Sequence, residues 1–267
     1  MKVYLAKWAA TIQVTWSNLL VYRMNFLLQT LAPLFVFLVV KLSLWYKIMG
    51  DGSTVIMGYG FHQMVSYHLW ILITSILVFN SNGTRISEDI RMGRITSYLI
   101  YPFQLWEFHA ASFLARTVVQ LLIAAVTLFG VFLIFQPWFV LPELQTLVSG
   151  LLLVLLAAVF WFWTHFIIGL VGFWLEETWT LMVMLQITAY FLSGSMIPLT
   201  LYPPWMQQVL SYSPFPYIAY LPAQVFLGAP VDLGFSFMVL SSWTLLMILL
   251  AIVVWKRGMR LYTAAGM

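Results

Sequence analysis

Apolar residues run in long blocks along this chain, near residues 26–46, 60–80, 108–135, 145–172, 179–198 and 234–255. Each block is close to the about 20 residues that a membrane-crossing helix needs. Within the blocks there is no alternation of period two, and they are too long for the strands of a membrane barrel. A backbone in lipid must then satisfy its own hydrogen bonds as helix. The pattern predicts an all-α membrane protein with six transmembrane helices in a single domain, residues 1–267.

Two stretches between the blocks carry patterns of their own. Before the first span, Leu5, Trp8, Ile12, Trp16 and Leu19 fall on one arc of a helix, with Lys7, Thr11 and Asn18 away from it. That predicts an amphipathic interfacial helix over residues 1–23 that lies at a membrane surface. Between spans five and six, seven of the 11 prolines (Pro198, Pro203, Pro204, Pro214, Pro216, Pro222 and Pro230) crowd among Tyr202, Trp205, Tyr212, Tyr217 and Tyr220. Continuous helix is excluded there. Short helices and turns forming an outer cap or re-entrant segment over residues 199–230 are expected instead.

Composition agrees with the pattern. Hydrophobic residues make up 63% of the chain and charged ones 7%, where a soluble domain has about a quarter. Mean hydropathy is +0.96. With no cysteine, neither disulfides nor thiolate metal sites arise. The net charge of +4 reports topology rather than nucleic-acid binding. Lys2, Lys7, Arg23, Arg85, Arg91, Arg94, Arg116, Lys256, Arg257 and Arg260 fall on the side of the termini, against Lys41 and Lys47 on the other. The positive-inside rule puts both termini, and the loop over residues 81–104, in the cytoplasm.

Few residues suggest chemistry. No lysine ends a glycine-rich phosphate loop, so ATP hydrolysis by this chain is not expected. His62, His68, His109 and His165 show no metal-ligand spacing. His165 lies well inside a span and is the residue on which an ion-coupled carrier would turn. In span five, Gln186, Tyr190 and Ser193, with Thr188 and Ser195, could line a substrate path or serve as helix contacts.

The strongest contrast lies between spans two and three, where Arg85, Glu88, Asp89, Arg91 and Arg94 place five charges within a short stretch. In a helix, Arg85 would pair with Asp89 and Glu88 with Arg91, and Gly93 would punctuate the segment. Read as Ile86-x-x-Asp89-Ile90-Arg91-x-Gly93-x-x-x-x-Tyr98-Leu99-x-x-Pro102, after two spans and a basic amphipathic N-terminus, this resembles the permease subunits of ABC-2 type ATP-binding cassette transporters. The resemblance is to the bacterial ABC-2 family whose members lack a fused nucleotide-binding domain. It extends in layout to Ser213-Pro-Phe-Pro216 and Leu221-Pro222 before the last span.

That resemblance implies an exporter permease in a bacterial cytoplasmic (inner) membrane. It also implies a dimer with a second copy or a related permease, and separate cytoplasmic ATPase subunits that hold ATP and Mg. Arg85, Glu88, Asp89, Arg91, Gly93 and Arg94 become expected ATPase coupling residues, with Glu176 and Glu177 as a second contact. No cofactor is expected in this chain, no nucleic acid as partner, and membrane lipid around it. An ion-coupled secondary transporter and a non-transporting membrane scaffold are the alternatives that the residues alone leave open.

Overall fold

The computed structural model describes residues 2–50, 55–56, 58–79, 83–100, 103–139 and 141–262. Eleven α-helices are found among them: α1 (Lys2–Val21), α2 (Arg23–Met49), α3 (Phe61–Val78), α4 (Gly83–Arg91), α5 (Ile95–Ile100), α6 (Leu105–Phe135), α7 (Leu144–Leu170), α8 (Trp179–Leu192), α9 (Pro204–Ser211), α10 (Tyr220–Phe226) and α11 (Leu233–Leu261). Among the described residues five helices, α2, α3, α6, α7 and α11, are long and apolar enough to cross a membrane.

The centre of the bundle is α3, which has no continuous polar face and is buried from Met64 to Val78. A helix without a polar face has no surface to show to water, so its neighbours enclose it. α2 runs antiparallel to it, with Tyr46 beside Phe61 and Trp45 beside His68. α6, α7 and α10 cover its other sides, and α11 lies along α7. The outer faces of α2, α6 and α11 remain apolar and exposed, as in Val36, Val126 and Leu249.

The fifth predicted span, 179–198, is helical only as α8, which has 14 residues. At 1.5 Å per residue that is about 21 Å, short of a hydrocarbon layer of about 30 Å. The helix stops because Gly194 takes a left-handed φ of 78°. There the chain turns, Tyr67 donates its hydroxyl to the Gly194 carbonyl (2.6 Å), and the Tyr220 amide donates to Ser193 O (3.0 Å). A Cβ at Gly194 would lie 2.9 Å from that of Tyr220. Beyond the turn, the proline-rich segment forms α9 and α10. α10 enters the bundle: Phe226 stacks on Trp70 at 4.3 Å and fills the space over Gly150, six residues into α7.

The N-terminal segment is a helix but does not stand apart from the bundle. It runs beside the start of α6 in the same direction, with Trp8 against Trp106 and the Trp16 indole donating to Ala115 O at 2.8 Å. Its half-buried face carries Trp8, Thr11, Ile12, Thr15 and Leu19. The expected apolar arc is therefore rotated, leaving Leu5 62% and Trp16 40% exposed. The reason is polar: Thr15 donates to Ser112 at 3.3 Å, so this face meets a polar stripe of α6.

Candidate coupling and permeation sites

α4 is built to be held on one side. Ile86 and Ile90, four residues apart, bury with Gly83 and Asp89, while Arg85, Glu88 and Arg91 are exposed. The buried side meets the end of α7 at glycines. A Cβ on Gly169 would lie 2.7 Å from Ile86 Cβ and 2.8 Å from Gly83 O, and one on Gly172 would lie 3.0 Å from Ser87 Cβ. Helix and helix approach backbone to backbone here, with Gly83 O 2.8 Å from where a Gly169 Cβ would lie.

α4 ends at a turn in which Gly93 has φ 69°, a conformation that costs a side chain but not glycine. The turn brings α5 back over α4. Arg94 Nε donates to Asp89 Oδ1 at 2.7 Å, and the Tyr98 hydroxyl donates to Asp89 Oδ2 at 3.1 Å. Burial, reinforced by the Asp89 carboxylate, raises the Tyr98 phenol well above its ordinary value, so it remains a neutral donor. His109 Nε2 lies 3.9 Å from the same carboxylate, and the Tyr262 hydroxyl donates to Gly93 O at 2.9 Å. The C-terminal end of α11 is thus tied to the elbow.

The charge pairs differ from those that helical spacing predicts. Asp89 pairs with Arg94 rather than Arg85, and Arg91 pairs with Glu177 at 3.0 Å rather than with Glu88. Glu88 reaches Arg94 at 3.8 Å. Arg85 extends over the Phe108 ring, 5.8 Å from its centroid. Gly93 causes the first change, because the turn carries Arg94 back over α4. The second arises because the chain after α7, which carries exposed Glu176 and Glu177, passes beside α4. Pro102 of the motif lies outside the described residues.

The expected path residues separate. Ser193 is fully buried in the turn after α8, its hydroxyl 2.8 Å from that of Ser195. Gln186 and Tyr190, one turn apart on α8, are half-buried. Tyr190 borders a cavity of about 10 Å³, room for about one water, between α2, α3 and α8. Lys41 and His68 line it as well, 8% and 1% exposed. His165 sits elsewhere, buried with Nδ1 3.2 Å from Trp161 O, the carbonyl one turn back.

The profile of the ABC-2 family transporter protein matches residues 35–266, from the middle of α2 through the last helix. The chain belongs to this family. No curated protein matches it. For this ABC-2 family protein the match takes in the second half of α2, all of α3, α6 and α7 and all of α11, with the α4–α5 elbow and the α8–α10 segment between them. It is a multi-pass membrane protein of a transporter family.

Three groups at these sites in the ABC-2 chain escape a reading of the sequence. Lys41 scores as a residue of the far side, yet it lies inside α2 facing His68. Tyr262 is distant in sequence from the Gly93 it binds, and nothing local announces the contact. Glu107 is visible only as the acidic partner of a cap: its carboxylate accepts from the Gln104 amide at 2.8 Å and fixes the start of α6.

Proposed function

We propose that this chain is the membrane permease subunit of an ABC-2 type transporter. It exports a substrate across a bacterial inner membrane, with both termini cytoplasmic and with ATP and Mg held by a separate ATPase subunit. The single observation that carries this is the two-sided build of α4. Its outer side presents Arg85, Glu88 and Arg91, joined by Glu176 and Glu177. Its inner side is seated against Gly169 at the end of α7 and Gly172 in the turn that follows it. A partner that grips the outer side and changes shape would move α7, and through it α11, between two states of the bundle. Asp89, Gly93 and Arg94 act one step back, by holding the elbow in the shape the partner meets.

With five long helices, the sixth crossing is made by α8 together with the segment after Gly194, and the proline-rich residues 199–230 close the outer end. Lys41, His68 and Tyr190, with Gln186, form the polar part of a path that becomes continuous on pairing with a second permease copy or a related one. An ionisable residue kept within a span is costly and usually functional.

The test is affinity purification of the detergent-solubilised chain from its host, with mass spectrometry and an ATPase assay. The wild type should bring down a nucleotide-binding subunit. Reversing the outer charges, Glu88→Lys with Arg91→Glu, should release it while the chain still inserts and elutes as one species. Full retention of that subunit and of coupled hydrolysis in the reversed variant would defeat the proposal.

A further inference from the structure

Between α1, the first turns of α2, α4 and α6 lies a second cavity, of about 270 Å³, open on one side. Its lining is about half polar, and its charge is of one sign. Arg85 and Arg116 both border it, with Asn18, Asn25 and Gln29, and no carboxylate does. Arg116 Nε is out of contact with solvent and has no hydrogen-bond partner among the described residues. Arg85 rests over Phe108. Although Arg85 also borders the groove where Glu88 and Asp89 lie, it forms no ion pair with either. Gln29 donates to Asn25 Oδ1 at 3.1 Å, which leaves the Asn25 amide nitrogen as a further donor.

Two guanidinium groups facing one space without an acid repel each other and leave donors unmet. Such an arrangement is relieved by an anion placed between them. Guanidinium forks match the oxygens of phosphate two at a time, and the amides offer donors from other directions, as an anion with several acceptor oxygens requires. The opening beside α1 and the first turn of α2 suits an anion whose remainder stays outside.

We propose that this cavity is a binding site for a phosphate-bearing anion, with Arg85 and Arg116 as its charged walls and Asn18, Asn25 and Gln29 as neutral donors. The phosphate is either the headgroup of an anionic phospholipid or a phosphate taken from water. Residues 1–34, which supply much of the lining, lie outside the stretch matched by the family. The proposal does not depend on an ATPase partner and is tested on the chain alone.

The experiment is native mass spectrometry of the full-length chain, purified in detergent, delipidated and titrated separately with phosphatidylglycerol, phosphatidylcholine and inorganic pyrophosphate. The expected result is retention of phosphatidylglycerol over phosphatidylcholine by about tenfold, lost in Arg85→Gln/Arg116→Gln. Pyrophosphate binding with the same arginine dependence and no lipid preference would assign the phosphate to the aqueous source. Equal binding of all three by wild type and double variant would overturn the site. Arg85→Gln alone alters an exposed side chain, so it gives the same reading, at reduced amplitude, where the double variant aggregates. Arg116→Lys, which keeps the charge and loses the fork, should fall between wild type and the double variant.

Discussion

The elbow and the wedge each keep a charged side chain out of water, and they treat it in opposite ways. At the elbow, buried Asp89 is met from two sides, by Arg94 at 2.7 Å and Tyr98 at 3.1 Å. In the wedge between α2, α3 and α8, Lys41 is 8% exposed and has no acidic partner among the described residues, and neither nitrogen of His68 has a hydrogen bond. A saturated buried charge specifies a shape, whereas an unsaturated one is a cost that folding alone does not justify. On the proposed function, the elbow positions the surface that a partner meets, and the wedge is the polar part of the path.

The sharpest way to break the contrast is to remove the charge at the elbow. Asp89→Ala strands Arg94 and the Tyr98 hydroxyl. Because Arg94 is about half exposed and can turn to water, the loss should be about 2 kcal/mol rather than the full cost of a buried orphan. Thermal unfolding of the detergent-solubilised protein should show it, along with faster proteolysis between Arg91 and Ile95. A variant as stable and as protected as wild type would mean that Asp89 does not hold the elbow.

Next in size is the glycine seat. Gly169→Ala forces a methyl to within 2.8 Å of Gly83 O and 2.7 Å of Ile86 Cβ, and the contact is tight because one neighbour is backbone. Overpacking of this kind costs about 1–3 kcal/mol. It should separate α4 from α7 and so lower transport more than it lowers insertion. Limited proteolysis within α4 would report the separation, and protection equal to wild type would count against the close seat.

The opposite sign is expected in the wedge. Lys41→Met replaces a buried cation with a side chain of similar shape and should raise the melting midpoint, by an amount equivalent to about 1 kcal/mol, while impairing transport. Stability rising while function falls would set the wedge apart from the elbow. A loss of both would mean that Lys41 has a structural partner after all.

Which of these features could be read from the sequence follows from the range of the contacts that make them. The five crossing helices are legible because each is a long apolar run, and the same averaging hides the end of α8. Ile197 and Leu199 keep the hydropathy high past the point where Gly194 has already turned the chain. At the elbow the concentration of charge is legible but its direction is not. Helical spacing offers Arg85 to Asp89, and only the left-handed Gly93 brings Arg94 round instead. The rotation of α1 depends on Ser112 and Ala115, about a hundred residues away. Lys41 looks like a residue of the membrane's edge because positive charge ordinarily marks edges, and its burial comes from α3 and α8 together.

The smallest effect expected is at the Arg91–Glu177 pair, and it separates structure from coupling most cleanly. The two side chains meet at 3.0 Å with 47% and 71% of their surface exposed. Exposed pairs contribute about 0–1 kcal/mol, so Glu177→Gln should leave the melting midpoint within error of wild type. If the outer side of α4 and the chain after α7 are gripped by one partner, the same substitution should still weaken co-purification of the ATPase subunit, and Arg91→Gln should do so equally. Adding both should weaken it by less than the sum, since each removes the same contact. Additive losses would mean that Arg91 and Glu177 touch the partner separately and that their mutual bond has no part in coupling.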